Sequence, residues 1–537
     1  MDLHFTDACI YAPATIPGTG AISIIRISGA DCFSIVDRVV RLRKGTIASS
    51  AGYSLHFGQI FEVNEQRASC GEPRALCEDG KLIDEVIVSV FRAPASYTGE
   101  NMVEISCHAS SYIVSRICAR LGEEGAIPAQ AGEFTRRAFM NGKMDLAQAE
   151  AVADVIASQS EEAHRLAFKQ MKGGYSAELM QMRDELLRLV SLMELELDFS
   201  EEEVEFADRG ELERLLNAAI EHTQALSDSF QLGNALKNGI PTVIVGAPNS
   251  GKSTLLNALC GQERAIVSDI EGTTRDTIEE SCVIDGVQFR FIDTAGIRQT
   301  EETIEKLGIE RTFREIQQAS VVLALFDASE SIDRIEAQAA SIFENLDGQK
   351  QTPLLILNKC DLPQATPQQL DRLSATLQRW SSAENILCLS LKPDGAPVSA
   401  SASVQRIASA SPSAQRIASA SASASVQKIA SDSPVADGSD SDIAIHGVSE
   451  LKMRLGSQMR SLADKHQTLV TNMRHAQALS DTATCLLRVR SGLASNIPTD
   501  LLAQDIREAI YHLGSITGEI STDEVLGNIF RNYCIGK

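Results

Sequence analysis

The stretch GAPNSGKST (residues 246–254) carries two glycines, a lysine and three hydroxyl residues, and fits the spacing GxxxxGK[ST]. Such a loop binds phosphates when it follows a strand and opens a helix, because glycine lets backbone N–H groups approach the oxygens closely. TVIVG (242–246) reads as that strand. Lys252 is then placed to reach the β- and γ-phosphates of a nucleotide, and Ser253 to ligate Mg²⁺. One match of this kind also arises by chance, so its weight depends on companion motifs further along the chain.

There are three such segments. EGTTRD (271–276) offers Thr274 as a Mg²⁺ ligand that responds to the γ-phosphate, the behaviour of a first switch. DTAG (293–296) offers Asp293 for the Mg²⁺ shell and the Gly296 N–H as a γ-phosphate sensor. NKCD (358–361) offers Asp361, whose carboxylate can accept from both the N1–H and the amino group of guanine. Adenine lacks that donor pair, so Asp361 selects GTP, with Asn358 and Lys359 supporting the base and loop. LSLK (389–392) supplies Ser390 as a weaker match to a base-loop serine. Loop residues that merely satisfy turns would not produce these motifs in order.

Two residues narrow the chemistry. Ile297 follows DTAG, where Ras-like proteins place a water-orienting glutamine, and it cannot polarise water. Another group must position the nucleophile, and another positive charge must face the transition state. Asn249 has an amide oxygen that can hold a monovalent cation beside the phosphates, in the role of an arginine finger.

The chain ends in CIGK, with Cys534 ahead of Ile535, Gly536 and Lys537. This is a poor prenylation box: Gly536 is not aliphatic, and no polybasic run precedes it. TDEVLGNIF (522–530) reads as a helix with Thr522 as N-cap and Val525, Leu526, Ile529 and Phe530 on an apolar face. A helix packed on that face would dock the tail. A thiol of ordinary pKa near 8.5 is mostly protonated at neutral pH, so Cys534 reads equally as a catalytic group or as a small packing residue.

These residues need elements to hold them. With 537 residues, the chain is too long for one ordinary core, and 44% apolar residues is a globular composition. Its 12 cysteines are scattered without a CxxC pair, as in a reduced, cytoplasmic protein. The net charge of −23 argues against wholesale coating of nucleic acid, and the apolar runs are too short to cross a bilayer. We expect no membrane anchor.

Residues 1–141 read as an α+β domain, with strands at 21–29, 81–94 and 102–110 and a helix at 111–122. Residues 142–238 read as helical: Leu179, Met182, Leu186, Val190, Met193 and Leu197 share one face, and Gly173-Gly174 breaks the preceding helix. The acidic run 201–206 reads as a solvated surface. Residues 239–450 alternate short strands and helices, the pattern of a mostly parallel sheet, with Asp285-Gly286 as a hairpin turn. Within them a Ser/Ala-rich repeat, about 395–442, is too poor in large apolar groups to repay ordering and reads as a disordered insert. Helical periodicity returns over 451–537 through Leu462, Leu469, Met473, Leu502, Ile506, Ile510 and Leu513. The expected fold is thus an N-terminal α+β domain and a split all-α domain with an α/β P-loop GTPase domain inserted in it.

The motifs GAPNSGKST, EGTTRDT and DTAGIR resemble those of the MnmE (TrmE) family of tRNA modification GTPases. So do IIRISG (24–29), SYTGENMVEI (96–105), GEFTRRAFMNGKMDLAQAEA (132–151) and ITGEISTDEVLGNIFRNYCIGK (516–537). The resemblance spans nearly the whole chain outside the insert. It implies a homodimer whose GTP hydrolysis depends on potassium. It also implies an FAD-dependent MnmG (GidA) partner forming a heterotetramer, and an aminomethyl-type (carboxymethylaminomethyl) group installed at C5 of the tRNA wobble uridine. K⁺ would be held by Asn249, Ser268, Ile270 and Thr273, and Mg²⁺ by Ser253 and Thr274. Glu305 matches the family's water-organising glutamate. A reduced folate of the 5-formyl- or methylene-tetrahydrofolate type would meet Arg26, Glu104, Lys143 and Lys537. The full GTP-binding set expected is Asn249, Ser250, Gly251, Lys252, Ser253, Thr254, Ser268, Asp269, Ile270, Glu271, Gly272, Thr273, Thr274, Asp293, Thr294, Ala295, Gly296, Asn358, Lys359 and Asp361.

The GTPase motifs alone fit a second class, a regulatory or ribosome-assembly GTPase whose output is binding. No GxxG module of the KH kind supports it.

Overall fold

The computed structural model describes residues 8–62, 81–198, 209–261, 280–292, 316–348, 351–391, 447–466, 468–495, 497–520, 523–530, 533 and 536. Outside them lie the acidic run, the Ser/Ala repeat, the EGTTRD and DTAG motifs, and the positions Glu305, Thr522, Cys534 and Lys537. The chain forms two compact units. One draws on Met1–Ala157, Leu166–Asp228 and Asn472–Lys537, the other on Ser158–Arg165 and Ser229–Thr471.

The first unit begins with β1 (Ile10–Pro13), β2 (Ile22–Ser28), β3 (Val40–Leu42), β4 (Ser54–Phe61), β5 (Leu82–Phe91), β6 (Met102–His108) and β7 (Ile127–Pro128). Among the described residues these make one sheet in the order β3-β4-β5-β6-β2-β1-β7. Side chains alternate across a strand, so Ile25 and Ile27 of β2 and Val103 and Ile105 of β6 share a face. With Val86, Val88 and Val90 of β5 they form a core beneath the helices Cys32–Val39 and Ser111–Glu123. The opposite face of β2 carries Arg26, directly across from Glu104 of β6. The expected strands and helix of this region are present.

The same unit holds the helices Gly174–Asp198, Arg209–Asp228, Met473–Ala494 and Thr499–Thr517, packed against one another. Leu179, Met182, Leu186, Val190 and Met193 are all buried, as their spacing requires. Gly173 takes φ 85°, a left-handed conformation that separates the helix Glu161–Met171 from the next. The helix Leu146–Ala157 packs on both the helix Glu133–Met140 and the long helices, which ties the α+β and helical parts into one unit.

The second unit contains β8 (Ile240–Gly246), β9 (Glu280–Ile284), β10 (Val287–Phe291), β11 (Val321–Asp327), β12 (Thr352–Asn358) and β13 (Ile386–Cys388). Their order is β13-β12-β11-β8-β10-β9, parallel throughout except for β9. Asp285 and Gly286 both take positive φ, 52° and 79°, which a tight turn between right-twisted strands demands. The helix Val448–Asp464 belongs to this unit and packs on β9 and on the helix Lys252–Cys260. The expected boundary at 450/451 falls inside that helix. Helical periodicity on both sides of the boundary hides it from the sequence.

Candidate functional site

The phosphate loop lies between β8, a buried parallel strand, and the helix Lys252–Cys260. Two residues bend it: Asn249 at φ 62° and Gly251 at φ 106°. A side chain at Gly251 would collide with the Asn358 amide, and one at Gly246 with the Leu325 carbonyl. Asn358 is buried, and its Nδ2 donates to the Ser250 carbonyl at 2.7 Å, so the end of β12 clamps the loop. Lys252 Nζ donates to the carbonyls of Gly246 and Ala247, each at 2.9 Å. Its ammonium is thus held at the loop, and burial lowers its pKa. Ser253 and Thr254 lie in the first helical turn, where N–H groups and the helix dipole favour anions. Asn249 is exposed at the loop's rim.

The base side is built from strand ends. Lys359 at φ 63° donates to Asp327 Oδ2 at 2.6 Å. Burial raises the Asp327 carboxyl, but the bonds from Lys359 and Ser329 outweigh it and hold the pKa below the ordinary carboxylate range. The Cys360 N–H donates to the Leu389 carbonyl at 3.2 Å, which sets the Ser390 segment beside the loop carrying Asp361. The structure therefore brings together Asn249, Ser250, Gly251, Lys252, Ser253 and Thr254 with Asn358, and joins Asn358, Lys359 and Asp361 to the Ser390 segment. Positions 268–274, 293–296 and Glu305 lie outside the described residues.

A second cluster is built in the first unit. The Arg26 guanidinium donates to Glu104 Oε1 through Nε at 3.0 Å and Nη2 at 2.8 Å. Its Nη1 donates to the Gly536 carbonyl at 3.0 Å. The guanidinium also lies over the rings of Tyr97 and Phe134, 5.4 and 5.7 Å from their centres. Gly536 is buried at φ 104°, and a side chain there would strike the Pro13 carbonyl. The helix Asp523–Phe530 buries Leu526 and Phe530 against Leu146 and Ala149. So the last helix and Gly536 are docked, as the apolar face of that helix predicts. Lys143 Nζ donates to the Pro94 carbonyl at 3.0 Å. Cys534 and Lys537 lie outside the described residues.

Sequence reasoning missed an adjoining network. Glu150 Oε2 meets Nε2 of the fully buried His475 at 2.6 Å, and Oε1 accepts from Arg474 Nε at 3.0 Å. Arg474 also donates to the Ser515 and Ile516 carbonyls, at 2.6 and 3.1 Å. Burial raises the Glu150 carboxyl, but His475 and Arg474 overcome it and bring the pKa down to about 2. The network joins the helix Leu146–Ala157 to the start of Met473–Ala494 and the end of Thr499–Thr517. The only sequence signal was the adjacent pair Arg474-His475 opening an apolar helix.

Comparison with known proteins bears on both clusters. The family model for the MnmE helical domain matches residues 146–534, and that for the GTP-binding protein TrmE N-terminus matches residues 9–143. The chain is 43% identical to the tRNA modification GTPase MnmE of Parabacteroides distasonis over 98% of this chain and 99% of that protein. It is likewise 43% identical to MnmE of Flavobacterium johnsoniae, with the same shares of each chain covered. The Bacteroides fragilis protein is 42% identical at the same coverage. Likeness at that level over both clusters and the elements between them means that the chain belongs to the MnmE (TrmE) family.

Proposed function

We propose that the chain is a potassium-dependent GTPase that works with an FAD-dependent MnmG-type partner to install a carboxymethylaminomethyl group at C5 of the tRNA wobble uridine. The coarser statement stands on the full-length relatives: this is a GTP hydrolase acting in tRNA modification. The finer reading includes a homodimer, a heterotetramer with the partner and a cytoplasmic location. Among the described residues no helix is long and apolar enough to cross a membrane.

The residues present suit the groups this reading needs. The cradle formed by Gly246, Gly251 and Lys252 suits a triphosphate: its lysine is held by two carbonyls that a phosphate can replace. Ser253 and Thr274 would hold Mg²⁺, which neutralises phosphate charge. Asn249, Ser268, Ile270 and Thr273 would hold K⁺, and Glu305 would orient water. In the second cluster, the Arg26–Glu104 pair offers polar contacts beside the aromatic rings of Tyr97 and Phe134, the chemistry that a reduced folate requires. Lys143 and Lys537 would add charge for its carboxylates. Cys534 would be a nucleophile or acid.

The observation that carries the proposal is the bond from Arg26 to the carbonyl of Gly536, which holds that residue at a polar cluster in a unit separate from the phosphate loop. A binding switch needs only the loop. The test is nucleoside analysis of bulk tRNA from cells lacking the protein. Loss of the wobble-uridine group supports the proposal; normal tRNA with accumulating ribosome precursors would replace it with the regulatory reading.

A further inference from the structure

The helices Met473–Ala494 and Thr499–Thr517 pack against each other along their length. Cys485 of the first is buried, with its sulfur turned to the second. Glu508 and His512 of the second are four residues apart, so they share one helical face. The Cys485 sulfur, a Glu508 oxygen and a His512 ring nitrogen all lie within 4.8 Å of one another. His512 Nε2 is 3.9 Å from Glu508 Oε1. Tetrahedral zinc holds sulfur at about 2.3 Å and nitrogen or oxygen at about 2.1 Å, which separates its ligands by roughly 3.5 Å. Small side-chain rotations close that difference. We propose that Cys485, Glu508 and His512 form a zinc-binding site that joins these two helices.

The donor set selects the ion. A thiolate with an imidazole favours zinc over magnesium or calcium, which take oxygen ligands. Two ligands one turn apart on one helix and a third from a facing helix is a recurrent way to build a metal centre in a bundle. Three protein ligands leave a fourth position for water. Arg488 is the competing cation. Its Nη2 contacts the Cys485 sulfur at 3.4 Å and pairs with both Glu508 and Asp505, the latter at 2.9 Å. The Arg488 side chain is 49% exposed, so it can leave Glu508 and keep Asp505 when zinc takes its place. Binding releases the Cys485 proton to solvent, and the thiolate sulfur bonds to zinc. The plain alternative is an inert buried thiol beside a surface ion pair.

The experiment is a Co²⁺ titration of the full-length, metal-stripped protein, followed by absorbance, with Zn²⁺ added afterwards. We expect a thiolate-to-cobalt charge-transfer band that saturates at one ion per chain and is bleached by zinc. Cys485→Ser should remove the band. His512→Ala changes a partly exposed residue and should weaken binding by about 100-fold or more while leaving the helical circular dichroism intact. Arg488→Gln should bind cobalt at least as tightly as the wild type. No band in the wild type, a band that survives Cys485→Ser, unweakened binding in His512→Ala, or weaker binding in Arg488→Gln would each overturn the proposal.

Discussion

The phosphate loop and the tail cluster are built in opposite ways. The loop is a contiguous segment whose shape follows from glycines, a strand end and a helix start, with one clamp from Asn358. The tail cluster joins β2, β6, the loop carrying Tyr97, the helix carrying Phe134, and Gly536. Local backbone geometry makes the first; tertiary packing makes the second. Damage to the loop should therefore be confined to nucleotide chemistry, whereas the tail cluster should fail whenever the helices behind it loosen.

The largest effect should come from Lys252→Ala. Removing the ammonium from a phosphate cradle should lower the GTP hydrolysis rate by about 10²–10³-fold. The unfolding midpoint of the unit that holds the tail should stay unchanged. A shift of that midpoint, read by denaturant titration, would show that the two regions are not independent.

Next comes Glu150→Gln, which leaves Arg474 and His475 without their carboxylate. It should cost about 3 kcal/mol in the unfolding transition of the first unit, with GTP hydrolysis unaffected at neutral pH. The sign of the pH dependence is set by the pKa of about 2, below the ordinary value. The Glu150 contribution is present above the ordinary carboxylate pKa and is lost as pH falls from there through about 2. Urea unfolding from pH 6 to pH 2 should show the wild type losing this margin while Glu150→Gln, already without it, changes less.

A smaller effect is expected from Asn249→Ala. It should lose potassium stimulation of hydrolysis while largely keeping GTP binding. Equal wild-type rates in potassium and sodium would remove the cation from the account. Smallest of all should be deletion of residues 395–442, because loop closure costs only about 0.6 kcal/mol per doubling of length. The hydrolysis rate should stay near wild type; loss of solubility or of bound nucleotide would show that the repeats pack.

Most of the fold was legible because its signals are local. Period-2 alternation marks β2, β5 and β6; Asp285-Gly286 marks the hairpin; the spacing from Leu179 to Met193 marks a buried helical face. Leu526 and Phe530 announced that the last helix would dock. The polar clusters were not legible in this way. Arg26, on the strand face opposite the apolar core, looks in the sequence like any solvated charge until β6 brings Glu104 across from it. Glu150 and His475 meet only after the chain returns from the inserted sheet. The helix Val448–Asp464 carries the same period as the helices of the other unit, so periodicity could not assign it. Pattern reading finds what neighbours in sequence build; pairs made by distant segments need either the packing or a family resemblance.

The central claim is that nucleotide chemistry and tail chemistry occupy separate units. One paired measurement on Arg26→Ala tests it most directly: GTP hydrolysis in potassium buffer by the purified full-length protein, and wobble-uridine content of tRNA from cells that carry only this variant. Arg26 holds both Glu104 and the Gly536 carbonyl, and it takes no part in the phosphate loop. The account predicts hydrolysis within about twofold of wild type and loss of the tRNA modification. Normal modification in Arg26→Ala, or hydrolysis lost together with it, would contradict the account.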